Sequence, residues 1–217
     1  MHSHRKGIIL AGGQGTRLYP ATSLLSKQLL LVYDKPMIYY PISTLMLCGI
    51  RDILIITTPS FKYLFEKLLN DGKSWGINFS YQIQEKSEGI SHAISLAEGF
   101  TRDHDVAIAL GDNIFHGSNF VSFLESADSR TKGGTIFAYP VSDPHRYGVV
   151  EFDKKGKILN INEKPRNPKS QYAITGLYFF DNSVFERIKR LDYSPRKELE
   201  ITGLNNSYLL DKSLNLE

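Results

Sequence analysis

The sequence predicts an α/β fold in which helices flank a mixed, mostly parallel, Rossmann-like sheet. Residues 53–56 and 106–110 form unbroken apolar runs, which are typical of strands buried on both faces of a sheet. Apolar strand candidates also alternate along the chain with amphipathic helix candidates, as in strand-helix-strand crossover units. A chain of 217 residues is long enough to form one domain around a substantial core.

The first half of the chain holds the parallel part of the predicted sheet. We expect strands at residues 6–10, 52–57, 78–83 and 106–110, with helices at 37–48, 61–70 and 90–100 between them. Ligands bind beyond the carboxyl ends of the strands in such sheets. The loops at 12–17 and 111–113 should therefore lie together on one rim, where a functional site is expected.

The second half has shorter strands, in which apolar residues partly alternate with polar ones. We expect strands at 134–141, 148–152, 157–162 and 173–180, a hairpin turn at 153–156, and helices at 181–191 and 198–210. This half is predicted to make an antiparallel addition to the sheet. Because no linker separates the halves, we expect one domain over residues 6–217, preceded by a disordered tail at 1–5.

The composition argues against several classes of protein. The net charge of +3 is small, and the lysines and arginines are scattered, which argues against nucleic-acid binding. No apolar run reaches the length of a membrane span, so no membrane partner is predicted. Cys48 is the single cysteine, which excludes an intramolecular disulfide and fits a reducing, cytoplasmic location. Small phosphate-bearing molecules suit this charge.

A glycine-rich segment after the first predicted strand is the strongest single signal. Gly12, Gly13 and Gly15 let the backbone approach a ligand, and successive backbone N–H groups in such a turn can bind an anion. Arg17 adds a planar set of donors suited to phosphate. The segment lacks the Lys-Ser or Lys-Thr pair of a P-loop and the third glycine of the dinucleotide fingerprint. It predicts a triphosphate cradle of another kind; a tight turn with a solvated arginine is the alternative.

Charged side chains at other loops are less specific when each is taken alone. Asp112 follows a buried strand, where a carboxylate can hold Mg²⁺ together with phosphate oxygens, but a turn or capping role is the alternative. Lys27, Glu163 and Lys164 are each more simply explained as solvated surface charges. The six histidines have no metal-ligand spacing, and the sequence shows no arrangement of a nucleophile with a base.

Taken together, eight segments resemble the sugar nucleotidyltransferases, in order from about residue 6 to residue 210. The segments are 12–18, 26–30, 33–41, 110–115, 146–152, 163–165, 172–178 and 198–202. Any one of them could match by chance, whereas the ordered set is specific to the family. The Ser-Lys-Gln sequence at 26–28 and the Tyr-Asp-Lys-Pro sequence at 33–36 resemble the thymidylyl branch of the family rather than the cytidylyl branch.

The resemblance implies a nucleotide-diphospho-sugar transferase fold and a defined reaction. A thymidylyl group passes from dTTP to α-D-glucose 1-phosphate, which gives pyrophosphate and dTDP-glucose, a precursor of dTDP-rhamnose and surface polysaccharides. The sugar phosphate oxygen attacks the α-phosphorus in line, with Mg²⁺ as the cofactor and without a covalent enzyme intermediate. The resemblance also implies a nucleotide-binding half at about 6–130 and a sugar-binding half at about 131–217.

The resemblance assigns roles to individual residues as well. Gln84 and Gly89 match positions that recognise thymine, and a glutamine can both donate and accept, as a pyrimidine edge requires. Arg17 is expected to neutralise the leaving pyrophosphate, Lys27 to reach phosphate oxygens and Lys164 to hold the sugar phosphate. The implied catalytic set is Arg17, Lys27, Asp112 and Lys164, with Asp112 as the metal ligand. The implied nucleotide contacts are Leu10, Gly12, Gly13, Gly15, Thr16, Arg17, Gln84, Gly89 and Asp112. The implied sugar-phosphate contacts are Asn113, Tyr147, Gly148, Glu163, Lys164, Ile174, Tyr178 and Thr202.

The sequence also departs from the family pattern. Gly203 stands where the family has an aspartate, and Leu31 stands where it has a proline. The resemblance implies a further segment with a Trp-Leu-Asp-Thr-Gly-Thr-like motif, which supplies a second Mg²⁺ ligand, and helices for a homo-oligomer and an effector site. The sequence reaches Glu217 without this motif, so we expect a truncated member with weakened activity and a disturbed oligomer. An inactive nucleotide-binding fragment and a uridylyltransferase of the same fold are the alternatives.

Overall fold

The computed structural model describes residues 3–13 and 15–217. Its strands are β1 (Lys6–Ala11), β2 (Leu31–Val32), β3 (Lys35–Pro36), β4 (Asp52–Thr57), β5 (Asn78–Ile83), β6 (Val106–Leu110), β7 (Gly134–Pro140), β8 (Gly148–Phe152), β9 (Ile158–Glu163), β10 (Tyr172–Phe180) and β11 (Leu214–Leu216). Its α-helices are α1 (Tyr39–Leu47), α2 (Pro59–Leu69), α3 (Ile90–Ser95), α4 (Glu98–Thr101), α5 (Phe120–Ser129), α6 (Val184–Ile188) and α7 (Ile201–Leu210). Within these described ranges, no helix has the length and apolar character needed to cross a membrane.

One mixed sheet organises the described chain, with seven of its strands in the order β11-β7-β10-β6-β1-β4-β5. The neighbours β6, β1, β4 and β5 are all parallel to one another. Strand β10 lies antiparallel between β6 and β7, and it also pairs with the β8–β9 hairpin. Strands β2 and β3 form a separate small antiparallel sheet. The predicted α/β fold with an antiparallel addition is therefore confirmed.

The central parallel strands β1, β4 and β6 are buried on both faces, as the unbroken apolar runs of β4 and β6 predict. On β1, Ile8 contributes to the apolar layer that includes α3, α6 and α7, whereas Ile9 contributes to the layer that includes α1, α2 and α5. Leu54 and Ile55 divide in the same way on β4. Successive side chains of a strand point to opposite faces, so an uninterrupted apolar run supplies both layers of the core.

The structure differs from the predicted elements where a helix or strand is short, or where a strand pairs with a segment far away in the sequence. The predicted helix at 90–100 is two helices, α3 and α4, and the predicted helix at 181–191 is limited to α6. Helix α5 and strands β2, β3 and β11 were not predicted. Strand β11 has only three residues and pairs in parallel with β7. A strand this short carries too little periodicity to be recognised without its partner.

The expected disordered tail at 1–5 is wrong for residues 3–5. The Arg5 side chain is buried, donates to the carbonyl oxygen of Phe180 at 2.9 Å, and lies 3.2 Å from Asp128. Ser3 Oγ donates to the same carboxylate at 2.7 Å. A buried charge needs paired, hydrogen-bonded partners, and these partners come from distant segments that the local sequence does not reveal. Met1 and His2 lie outside the described residues.

Candidate active site

The candidate site lies at the carboxyl ends of β1 and β6. These two strands are parallel neighbours, with Leu10 in register with Leu110. The backbone N–H of Gly111 donates to the carbonyl oxygen of Leu10 at 2.9 Å, which joins the two loops where the strands end. The glycine segment and Asp112 therefore share one rim, as the order of the elements predicts.

Three adjoining cavities meet at Asp112, which lines all of them. The central cleft, of about 290 Å³, is lined among others by Leu10, Gly12, Gly13, Gln84, Gly89, Glu163 and Lys164. The loop cleft, of about 220 Å³, is lined by Gly13, Gly15, Thr16, Arg17, Leu18, Lys27, Gln28 and Asp112. The hairpin cleft, of about 640 Å³, includes Asn113, Tyr147, Gly148, Glu163, Lys164, Ile174 and Tyr178.

The structure thus brings together nearly all residues that the sequence singles out. Of these, Thr202 alone lines none of the three clefts in the described part of the chain; it lies behind Glu163. A larger cavity, of about 920 Å³, lies beside β11 and contains none of the selected residues. We place the site at the three clefts because charged and glycine-rich segments converge there, and volume alone does not identify a site.

An ion pair stands at the junction of the clefts. Lys27 Nζ lies 2.9 Å from Asp112 Oδ2, and both side chains are partly exposed. Asn113 Nδ2 donates to Asp112 Oδ1 at 2.9 Å, while Asn113 Oδ1 accepts the backbone N–H of Gly176 at 2.9 Å. The pairing of β10 with β7 shifts register between Ile174 and Tyr178. This irregularity surrounds Gly176, which bonds to Asn113 and so connects β10 to Asp112.

The glycine segment leads into a short 3-10 helix at Thr16–Leu18. Gly15 precedes this helix with φ of +62°. The Arg17 side chain is exposed at the loop cleft, close to the rim that carries Lys27. Gln14 lies outside the described residues. The two basic side chains give the loop cleft a positive character suited to phosphate groups.

Gly89 is a position at which the fold requires glycine. Its φ is +103°, and a Cβ at this position would lie 2.5 Å from the carbonyl oxygen of Leu199. The backbone of Leu199 also donates to the carbonyl oxygen of Glu88 at 2.8 Å. The segment between β5 and α3 is therefore held against the segment that precedes α7, and together they enclose the central cleft.

A network of charges around Glu163 lies across the central cleft from the glycine segment. Thr202 Oγ1 donates to Glu163 Oε2 at 2.6 Å, and Arg196 Nη2 lies 3.2 Å from Glu163 Oε1. Lys164 Nζ lies 3.5 Å from the same Oε1 atom. Lys164 has φ of +43°, a strained backbone conformation of the kind that recurs at functional sites.

Arg196 is a site residue that the sequence interpretation missed. It lines the central cleft beside Lys164 and lies 2.7 Å from Glu200 Oε1. Partial burial lowers the pKa of Arg196, but the nearby Glu200, Glu198 and Glu163 outweigh this effect and raise it overall. Arg196 lies in an irregular loop without periodicity, so the sequence carries no local signal that could have identified it.

The hairpin cleft has a different chemical character because aromatic and aliphatic side chains form much of its wall. Tyr178 is almost fully buried on β10, and burial raises the pKa of its hydroxyl, with a smaller contribution from the charge of Glu163. Tyr147 is partly exposed, and Ile174 lies on β10 together with Tyr178. A ligand with apolar faces and hydroxyl groups at its edges suits such a wall.

The residues at the junction fit a divalent cation that is shared with a phosphate ligand. The described residues contain no cluster of three or more His, Cys, Asp or Glu side chains able to hold a metal. Mg²⁺, however, is commonly bound by one or two carboxylates plus substrate phosphates and water. Each oxygen of Asp112 makes one hydrogen bond, and an ionised carboxylate has about four acceptor positions. Asp112 therefore retains capacity to bind a metal.

Comparisons with known proteins agree with this geometry. The family model described as Nucleotidyl transferase matches residues 6–217. A glucose-1-phosphate thymidylyltransferase from Xanthomonas campestris is 54% identical over 215 residues, which cover 99% of this chain and 73% of the relative. The enzyme of the same name from Neisseria meningitidis is 53% identical over 212 residues, covering 98% of this chain and 74% of the relative.

Solved structures support the same grouping. A Bacillus anthracis protein described as a glucose-1-phosphate thymidylyltransferase, solved with a sucrose, has a TM-score of 0.91 and 42% identity, covering 98% of this chain and 86% of that one. A UDP-glucose pyrophosphorylase at 24% identity, with a TM-score of 0.79 and coverage of 98% and 88%, shares the fold. The resemblance seen in the sequence is thus confirmed: the chain belongs to the nucleotidyl transferase family and, within it, to the glucose-1-phosphate thymidylyltransferases.

Proposed function

We propose that this protein transfers a thymidylyl group from dTTP to α-D-glucose 1-phosphate, releasing pyrophosphate and forming dTDP-glucose. The observation that carries this proposal is the position of Asp112, where a loop cleft with basic side chains, a central cleft and a hairpin cleft meet. A reaction between a nucleoside triphosphate and a sugar phosphate needs such a meeting point. Its product would serve dTDP-rhamnose and surface polysaccharide synthesis.

The nucleotide is assigned to the central and loop clefts. Gln84 offers an amide donor and acceptor to the base, and Gly89 leaves the backbone open beside it. The triphosphate would follow the glycine segment toward Arg17 and Lys27, which supply positive charge where the leaving pyrophosphate accumulates negative charge. Leu10, Gly12, Gly13, Gly15 and Thr16 would contribute backbone and packing contacts.

The sugar phosphate is assigned to the hairpin cleft. Lys164 lines both the hairpin cleft and the central cleft, and Arg196 lines the central cleft beside it, so two cations are available to the phosphate of the sugar where the clefts adjoin. Glu163 is an acceptor for sugar hydroxyls, and Thr202 orients it by the hydrogen bond to Oε2. Asn113, Tyr147, Gly148, Ile174 and Tyr178 would form the rest of the sugar site.

Nucleotidyltransferases of this family generally use a divalent metal, and we propose Mg²⁺ held by Asp112. Bound there, the ion would neutralise phosphate charge and make the α-phosphorus more electrophilic. Lys27 would then be free to turn from Asp112 toward phosphate oxygens, since their contact is a partly exposed ion pair.

The protein's part in the chemistry is positioning and charge stabilisation. The sugar phosphate oxygen can attack the α-phosphorus in line when both substrates lie against Asp112, and the positive side chains on either side stabilise the developing charge. This direct transfer requires no protein nucleophile. We keep the division of the chain that the resemblance implies as part of the proposal, with a nucleotide-binding half at about 6–130 and a sugar-binding half at about 131–217.

A uridylyltransferase activity is the second candidate. Thymine and uracil present the same hydrogen-bonding edge, so the Gln84 amide alone does not separate them. A UDP-glucose pyrophosphorylase has the same fold as this chain. At 24% identity, the likeness extends to the fold alone. A nucleotide-binding protein without turnover remains the third candidate.

We also propose a cytoplasmic protein that associates with copies of itself. Cys48 is free and buried, as suits a reducing compartment. Leu24, Leu31 and Tyr33 are exposed in the part of the chain that follows the glycine segment, and a patch of exposed apolar groups often marks an interface. Light scattering on the purified protein measures the oligomeric state directly.

Pyrophosphate release from purified protein tests the main proposal. With dTTP, glucose 1-phosphate and MgCl₂, we expect pyrophosphate and dTDP-glucose in equal amounts, and no product after removal of divalent metal with EDTA. Replacement of dTTP by UTP in a parallel assay ranks the two transferase candidates. Binding of dTTP without any product would leave only the nucleotide-binding candidate.

A further inference from the structure

Gln84 has a hydrogen-bond partner for the nitrogen end of its amide. The residue is buried at the wall of the central cleft, and its Nε2 atom lies 3.3 Å from His92 Nδ1. Its Oε1 atom lies beside Gly12, so that a Cβ added to Gly12 would come within 2.9 Å of it. The amide nitrogen thus faces α3 and the amide oxygen faces the glycine segment.

His92 itself stands behind the wall of the cleft. It is the third residue of α3, and its neighbours Ile90 and Ala93 line the central cleft, whereas His92 is absent from the described lining. Its Nε2 atom lies 3.6 Å from Glu88 Oε2. Any effect of His92 on a ligand in the cleft must therefore pass through Gln84.

The surroundings of His92 favour one tautomer of the neutral ring. An ionised carboxylate can only accept, so Glu88 favours a proton on Nε2 and leaves the lone pair on Nδ1. In this tautomer, assigned from the contacts, Nδ1 accepts a hydrogen bond from the Gln84 amide nitrogen. The opposite orientation of Gln84 would place two acceptors, its oxygen and Nδ1, against each other.

We propose that His92 is a positioning residue that fixes the donor and acceptor order of Gln84 and thereby makes the site prefer thymine to cytosine. Thymine presents an acceptor at O4, whereas cytosine presents a donor at N4. An amide that turns freely can match either base, while an amide locked in one orientation matches one of them. This inference rests on the proposed function, in which Gln84 contacts the base.

Replacement of His92 separates this role from simple packing. His92→Phe keeps an aromatic ring but removes the acceptor, whereas His92→Asn keeps an acceptor close to the position of Nδ1. His104→Phe is the matched control, because the described hydrogen bonds of the His104 side chain go only to the carbonyl oxygen of Thr101, and His104 lines none of the three clefts. The probes are dTTP and dCTP, each titrated calorimetrically into the protein with MgCl₂ and without sugar phosphate.

For His92→Phe we expect the Kd of dTTP to rise about 3- to 10-fold, the effect of one neutral hydrogen bond, and the preference for dTTP over dCTP to fall by a similar factor. In turnover assays the KM for dTTP should rise with little change in kcat, because His92 touches no reacting atom. His92→Asn should restore both quantities to within about twofold of the unmodified protein, and His104→Phe should leave them unchanged.

Two results would overturn the inference. One is an unchanged Kd and base preference in a folded His92→Phe protein; the other is a His92→Asn protein that behaves like His92→Phe. If His92→Phe does not fold, as judged by circular dichroism, His92→Ala takes its place with the same criteria. A failure of the proposed function is distinguishable, because the unmodified protein would then release no pyrophosphate from dTTP and glucose 1-phosphate, whatever the base preference of the His92 variants.

Discussion

The glycine segment and the Glu163 network both line the central cleft, but the chain holds the two sides of this cleft in place by different means. On the nucleotide side, the loops are set by backbone geometry: Gly89 has φ of +103° and lies against the backbone of Leu199. On the sugar side, Glu163, Lys164 and Arg196 are set by side-chain hydrogen bonds and ion pairs. We therefore expect a Cβ added at Gly89 to disturb the nucleotide side, and the loss of a charge from the Glu163 network to disturb the sugar side.

Asp112 lies between the two sides, so its replacement should have the largest effect on activity. Asp112→Asn preserves size but removes the charge that faces Lys27 and the proposed Mg²⁺. We expect kcat to fall about 100-fold or more, because a metal supplies several kcal/mol of charge stabilisation in such reactions. Pyrophosphate release measures this, with Asp71→Asn, an exposed carboxylate outside the clefts, as the control. Activity within threefold of the unmodified protein would contradict the role.

Gly89→Ala tests the backbone-determined side. The new Cβ would lie 2.5 Å from the Leu199 carbonyl oxygen at a positive φ, which should lower the free energy of unfolding by about 3 kcal/mol. For a domain of this size, the Tm should fall by about 6–12 °C in thermal denaturation.

Gly99→Ala is the matched control for Gly89→Ala. No heavy atom lies within 4 Å of the added Cβ, and the residue is in helix α4. Alanine has the higher helix propensity, so this variant should be stabilised by about 0.5–1 kcal/mol. Equal changes in Tm for the two variants would show that backbone geometry does not hold the nucleotide side.

Glu163→Gln tests the charge-determined side. The amide still offers an oxygen to Thr202 but loses the charge that faces Lys164 and Arg196. We expect the KM for glucose 1-phosphate to rise about tenfold, the effect of one charged hydrogen bond, and the KM for dTTP to stay within about twofold. Glu66→Gln on α2, an exposed carboxylate paired with Lys62, is the control. An equal rise in both KM values would mean that the two sides are not separate.

The reactivity of Cys48 reports on folding, because this buried residue lines neither the nucleotide side nor the sugar side of the site. Burial raises the pKa of its thiol from 9.0 to about 12, so the thiolate that reacts with iodoacetamide is scarce at pH 8. We expect no labelling of the folded protein at pH 8 and rapid labelling in urea.

The pKa of Cys48 is higher in the folded protein than in the unfolded chain. The contribution of Cys48 to stability is therefore present below pH 9 and is lost as the pH rises toward 12. Fast labelling of a variant at pH 8 would show that its fold, and not its site, has changed.

Much of the fold could be predicted because the responsible forces act locally along the chain. The predicted bounds of β4, β5 and β6 equal those in the structure. For β4 and β6 the reason is that strands buried on both faces need continuous apolar runs, whereas β5 ends the strand order and is only partly buried. The turn before β9 also formed as expected: the backbone N–H of Asp153 donates to the Lys157 carbonyl oxygen, and Gly156 has φ of +79°. Helix α5 was missed although Phe120, Phe123, Leu124 and Ala127 give it apolar residues at helical spacing. Strand β11 was missed because it depends on pairing with distant β7.

The sequence by itself determined the family, the parallel core and most residues that line the clefts. Apolar runs predict the buried strands, and glycine, lysine and aspartate at fixed places in an ordered set of motifs identify the family and its site. Only the tertiary structure decided how those residues are supported. Arg5 became a buried anchor, Arg196 joined the Glu163 network, and His92 came to face Gln84. Each of these side chains acquires its role from partners brought close by folding, and no local pattern records such partners.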